Sequence, residues 1–205
     1  MVKYINCIGI KGLNYLKMYR EFTKEKIREV EQEVASFVQK NDFTLKANLD
    51  IINTCSQLGF KMISLSLPKG IDGVIMVGKG AKLIGVSNRV TPLESRFVVA
   101  HELAHYIHES KDKKAEDVLF AMKDSILHDD QKSEDEDLMD LMAATILVPK
   151  DLFLEDLQNL DIAKVSSIKE TRNVEIGKIE ILAKKYNVDA KMIMRRIFEV
   201  SAYGA

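Results

Sequence analysis

Residues 91–109 read TPLESRFVVAHELAHYIHE. Thr91 is suited to cap a helix, Pro92 fits the first helical position and Glu94 completes a capping box, so the spacing predicts a helix over about 92–109. On that helix His101 and His105 lie one turn apart on one face and can direct ring nitrogens at the same metal ion. Glu102, beside the first histidine, is placed to act on a metal-activated water. A His-Glu-x-x-His helix thus supplies two ligands and a general base from one rigid element, which is the chemistry of a zinc hydrolase.

Such a site needs a third protein ligand, with one position kept for water. His108 is the nearest candidate, but at 1.5 Å of rise per residue it lies roughly 10 Å along the axis from His101. Glu109 is farther still. The metzincin spacing, with a third histidine six residues after the second, falls on Lys111. Tyr106 and His108 are instead expected to line the cleft. The stretch EDLMDLMAATILVP (136–149) offers a carboxylate from a second helix, expected over about 134–147 and ending before Pro149. Glu136 and Asp140 share a face at i, i+4. Glu136 can act as ligand, and Asp140 can accept the outer N–H of a ligand histidine and orient its ring. The competing reading places Glu136 in a solvated acidic run with Glu134, Asp135 and Asp137.

Upstream, residues 14–40 carry apolar positions at helical spacing, with a break near Thr23, and residues 47–58 read as a helix ended by Gly59. FKMISLSL (60–67), GVIMV (73–77) and KLIGVS (82–87) are short β-rich runs, the last two joined by the GKGA turn at 78–81. They predict a small antiparallel sheet, with Ile84, Gly85, Val86 and Ser87 as a candidate edge for an extended peptide. Downstream, residues 179–200 form two helices around Tyr186-Asn187-Val188. Lys191, Arg195 and Arg196 on the second give the pair a helix-turn-helix look. The alternative reading packs both helices on the rest of the protein.

The 205 residues are 46% hydrophobic and 30% charged with a net charge of −1, so the chain can bury a core and has no bulk attraction to nucleic acid or anionic lipid. Cys7 and Cys55 are too few for a disulfide framework and are expected as reduced thiols. The start lacks a signal-peptide pattern and no stretch has the length of a membrane span, which predicts a cytoplasmic protein. We divide the chain into a helical extension (1–46), a core (47–150) and C-terminal helices (151–205).

SRFVVAHELAH followed by EDLMDLMAATILVP resembles the ImmA/IrrE metallopeptidases. Their pattern is an Arg-x-x-Phe-x-x-Ala-His-Glu-Leu-Gly-His helix, then Glu-x-x-Ala-Asn-x-Phe-Ala running into Leu-Met-Pro. Phe97, Ala100, His101, Glu102, Leu103 and His105 match, with Ala104 for glycine. In the second half Glu136 fits the ligand position, while Met139, Asp140 and Met142 replace alanine, asparagine and phenylalanine. The resemblance, over about 47–150, implies an α+β zincin-like fold with an active-site helix and added N- and C-terminal helices. It implies one Zn2+ per chain held by His101, His105 and Glu136, with Glu102 catalytic; manganese or iron are alternative occupants. It further implies a protein substrate, in particular a helix-turn-helix repressor of a mobile element, prophage or stress response. The rival functions are a non-proteolytic regulator, such as a toxin–antitoxin or repressor partner, and a DNA-binding protein using residues 179–200.

Overall fold

The computed structural model describes residues 22–78, 80–110 and 134–203. The predicted helical start at 14–21 and Cys7 lie outside them. Helix α1 (Lys24–Lys40) begins at the break expected near Thr23, whose hydroxyl accepts from the Lys26 amide at 3.2 Å. Helix α2 (Ile51–Gln57) is shorter than expected because Asp50 caps it, accepting from the Asn53 amide at 3.0 Å. Gly59, with φ +86°, turns the chain out of α2 in the left-handed conformation that glycine adopts without strain.

Three strands follow: β1 (Phe60–Leu65), β2 (Gly73–Gly78) and β3 (Ala81–Ser87). The glycine turn forms the expected hairpin, pairing Gly78 with Ala81 and Gly73 with Val86 in antiparallel register. The sheet is nevertheless mixed rather than wholly antiparallel. The order is β1-β3-β2, and β1 runs parallel to β3. The physical reason is connection length. A tight turn forces β2 and β3 to be antiparallel neighbours, whereas the 66–72 segment is long enough to skip a strand position. That segment is held by Arg89, whose guanidinium donates to the carbonyls of Leu67 (2.5 Å), Pro68 (2.6 Å) and Ile71 (3.3 Å).

Helix α3 (Pro92–Ser110) starts with the capping box read from the sequence. The Glu94 amide donates to Thr91 Oγ1 at 3.3 Å and the Thr91 amide to Glu94 Oε2 at 2.7 Å. Helix α4 (Glu134–Leu147) packs against α3. Residues 98–107 of α3 and 138–147 of α4 are all buried, so both helices are enclosed on every side. The mixture of residues on them therefore shows no clean amphipathic stripe. Phe60, Ile75, Val77 and Ile84 of the sheet, Val30 and Val34 of α1, and Met139, Leu141 and Met142 of α4 join one core cluster. Cys55 is a fully buried free thiol within it, and burial pushes its pKa up to about 12.

Helix α5 (Lys150–Asn159), a 3-10 turn (Ile168–Asn173), α6 (Ile176–Tyr186) and α7 (Ala190–Tyr203) complete the described chain. Asn187 in the left-handed conformation makes the α6–α7 corner. Two of the three basic residues behind the helix-turn-helix look are buried, Arg195 at 2% exposed and Arg196 at 0%, while Lys191 is half-buried. Arg196 donates to the Val148 carbonyl (2.9 Å) and to Glu199 (3.3 Å), and also pairs with Glu31 of α1. Arg196 ties α7 to α1 and to the end of α4, whereas Arg195 pairs with Glu199 on its own helix. Arg196→Met keeps the bulk but leaves Glu31 without its guanidinium. It is expected to destabilise the fold by about 3 kcal/mol, read in thermal unfolding as a Tm lower by roughly 6–12 °C.

Candidate metal centre

Helices α3 and α4 face each other through four ionisable side chains. His101 is 0% exposed, His105 3% and Asp140 7%. His101 Nδ1 lies 2.8 Å from Asp140 Oδ1, and its Nε2 lies 3.0 Å from Glu136 Oε2. His105 Nε2 is 3.5 Å from Glu136 Oε1. One ligand atom from each of His101, His105 and Glu136 falls within 4.8 Å of the other two. The i, i+4 spacing on α3 aligns the two imidazoles, and Glu136 reaches them from the first turn of α4.

The donor set fits zinc: two imidazole nitrogens and one carboxylate oxygen. In the metal-free protein both ring nitrogens of His101 can donate, Nδ1–H to Asp140 and Nε2–H to Glu136; loss of the Nε2 proton would free that nitrogen to bind a metal while Nδ1–H stays on Asp140. Burial alone would disfavour the imidazolium of His101. The Asp140 and Glu136 carboxylates outweigh it and carry the ring from its ordinary 6.5 up to about 9. Burial likewise opposes the charge of Glu136, yet hydrogen bonds to His101 and His105 hold it well below the usual carboxylate range.

Glu102 is 0% exposed and points to the start of β2. A Cβ built on Gly73 would lie 2.4 Å from Glu102 Oε1 and 2.5 Å from Val98 Cγ1. Gly73 is thus a site neighbour that the motif reading missed. The available signal was a glycine opening an otherwise β-rich run, a position that often marks close approach by another group.

Six residues expected at the cleft or on a substrate edge lie elsewhere. Tyr106 is packed in the core, its ring edge-on to Phe60 and Phe37 at 5.1 and 6.1 Å, and its hydroxyl accepts from Lys82 Nζ at 2.8 Å. Contacts from α1, β1 and β3 hold it in the core, away from the His101–His105 face. His108 Nδ1 sits 3.2 Å from Glu33 Oε1 of α1, which draws it toward that helix and not toward the metal ligands. Ile84, Gly85, Val86 and Ser87 are in the central strand, paired with β1 on one side and β2 on the other, so they form no edge.

The edge beside Glu102 is that of β2. The Ser87 amide donates to the Asp72 carbonyl at 2.8 Å, which sets the alternation of the hairpin. Val74 and Met76 then direct their peptide groups at β3, and Ile75 and Val77 direct theirs away from it. Among the described residues no strand pairs with that side.

A buried His-Glu-x-x-His helix joined by a carboxylate from a neighbouring helix defines the metallopeptidase class of site. The chain belongs to the M78 peptidase family: the model of the IrrE N-terminal-like domain matches residues 55–198. No curated protein matches the sequence. Among solved structures, a Mycobacterium tuberculosis transcriptional regulator is similar at 15% identity and a TM-score of 0.45, over 82% of this chain and 46% of that one. The chain therefore spans less than half of that regulator's length. No helix among the described residues is long and apolar enough to cross a membrane.

Because the folded pKa of His101 is raised, the pairing with Asp140 stabilises the metal-free protein fully below pH about 6.5, and this contribution disappears as pH rises through about 9. Asp140→Asn is expected to flatten that loss, measured as Tm against pH in chelator-treated protein. For the donor set, His101→Ala and Glu136→Ala are each expected to lower zinc affinity at least tenfold in competition with a chromogenic chelator.

Proposed function

We propose that the chain is a zinc-dependent endopeptidase that cleaves a specific regulatory protein, with a helix-turn-helix repressor as the substrate class. The observation that carries this reading is the convergence of His101, His105 and Glu136, together with a buried Glu102 whose charge acts on His101 and whose carboxylate meets the start of an edge strand. His101 and His105 through Nε2, and Glu136 through its carboxylate, would hold the ion. When bound, zinc supplies Lewis acidity toward a water molecule and a peptide carbonyl.

The protein's own groups do the rest. Asp140 keeps the His101 ring oriented and in the tautomer that exposes Nε2. Glu102 accepts a proton from water as its oxygen bonds to the carbonyl carbon, then delivers that proton to the amide nitrogen as the C–N bond breaks. A low-dielectric setting strengthens each of these interactions. The outward peptide groups of Ile75 and Val77 support binding of an extended substrate segment by strand addition on β2. Main-chain pairing of this kind needs a locally unfolded segment, and this favours a linker or flexible arm of the target over its packed helices.

Glu102→Gln separates metal binding from proton transfer. The variant is expected to retain about one zinc per chain and to lose hydrolysis by 100-fold or more. The test is mass spectrometry of new amino termini, after incubation of zinc-loaded wild type and variant with a proteome-derived peptide library and with candidate helix-turn-helix repressors. Equal cleavage by the two proteins would overturn the assignment of Glu102, and absence of cleavage by wild type would favour a binding regulator.

A further inference from the structure

We infer that Gly73 is a positioning residue: the side chain it lacks creates the slot in which the Glu102 carboxylate is seated. The inference rests on the peptidase reading for its functional consequence, but the geometry stands independently. The first residue of β2 runs so close to α3 that even a methyl group would be 2.4 Å from Glu102 Oε1 and 2.5 Å from Val98 Cγ1. Both distances are well inside van der Waals contact. Val98 and Glu102 are i and i+4 on α3, so one glycine faces two successive turns of the helix.

What would move under such a substitution follows from what holds each partner. The strand is fixed from both directions. Upstream, Arg89 grips the carbonyls of Leu67, Pro68 and Ile71, and the Ser87 amide holds the Asp72 carbonyl at 2.8 Å. Downstream, β2 is registered against β3 through Gly78. Helix α3 is enclosed by the core from Val98 to Ile107. Val98 is β-branched, with few side-chain conformations open to it on a helix. The Glu102 carboxylate, at the end of an unbranched side chain, is the group that can yield. A methyl at position 73 is therefore absorbed mainly by displacement of the general base, and only secondarily as lost stability.

Gly85 provides the matching control. A Cβ there is also crowded, 2.6 Å from Leu65 Cδ1 and 2.9 Å from Val74 Cγ2, but it meets strand residues and no member of the metal centre. Both substitutions insert a methyl into the same sheet, and only one of them touches Glu102.

The experiment compares crystal structures, zinc affinity, Tm and turnover of wild type, Gly73→Ala and Gly85→Ala. Turnover is measured on the peptide most rapidly cleaved by wild type in the library screen. For Gly73→Ala the expected result is a Glu102 carboxylate moved by about 1 Å or more, zinc affinity within threefold of wild type, and kcat lower by about 100-fold with little change in KM. Gly85→Ala is expected to lower Tm while leaving Glu102 in place and kcat within threefold. The double variant Gly73→Ala/Val98→Ala relieves the Val98 contact alone and is expected to stay as slow as Gly73→Ala. A Gly73→Ala structure with Glu102 unmoved, or recovery of kcat in the double variant, would overturn the inference. If wild type cleaves no peptide, the peptidase reading fails, while the position of Glu102 in the two crystal structures still decides the role of Gly73.

Discussion

Burying ionisable side chains between two helices is the constraint around which this protein is organised. His101, His105 and Asp140 are buried where α3 and α4 meet, and Glu102 is buried where α3 meets the start of β2. Isolated charges there would be strongly destabilising, so each must face a group of complementary character. Asp140 and Glu136 meet the two nitrogens of His101, and Glu136 also approaches His105. This makes α4 as necessary as α3. The acidic first turn of α4 also lies where the helix dipole favours negative charge, which helps hold Glu136 ionised.

The remaining elements keep those two helices in place. The sheet lies against α3 and brings the start of β2 to Glu102, while Arg89 anchors the connection that leads into it. On the other side, α1 and α7 are joined to the end of α4 by the buried Arg196, which bridges Glu31, Glu199 and the Val148 carbonyl. Arg196, one of the basic residues that gave α7 the look of a DNA-reading helix, thus serves as an internal clamp. Its burial has the same logic as that of His101, since each of these two side chains meets carboxylates within the protein.

The parts of the fold legible in the sequence were those governed by local rules. The Thr91–Glu94 capping box, the Asn187 corner and the turn joining Gly78 to Ala81 each depend on residues within a few positions of one another, and each is found where expected. The rise of an α-helix similarly separates His108 from His101 without reference to any other element. Strand order was not legible in this way. A β-run rich in Ile and Val looks alike in the centre or at the edge of a sheet, and AKLIGVS (81–87) carries no mark of the parallel partner it acquires in β1. Tyr106 was misread for a related reason: its burial depends on Phe37, Phe60 and Lys82, which come from three other elements.

By itself the sequence determined the chemical types and the helical spacing of the two candidate histidine donors, because i, i+4 geometry is a property of one continuous helix. It offered Glu136 on a second helix as a candidate third donor, beside the reading of a solvated acidic run, and the family resemblance pointed to that residue. Only the tertiary structure decided that Glu136 and Asp140 meet opposite nitrogens of the same imidazole, that β2 and not β3 carries the outer edge, and that Gly73 closes on Glu102. Those relations join segments distant along the chain. Their distances are set by how the core packs around buried charge, and no periodicity within a single segment encodes them.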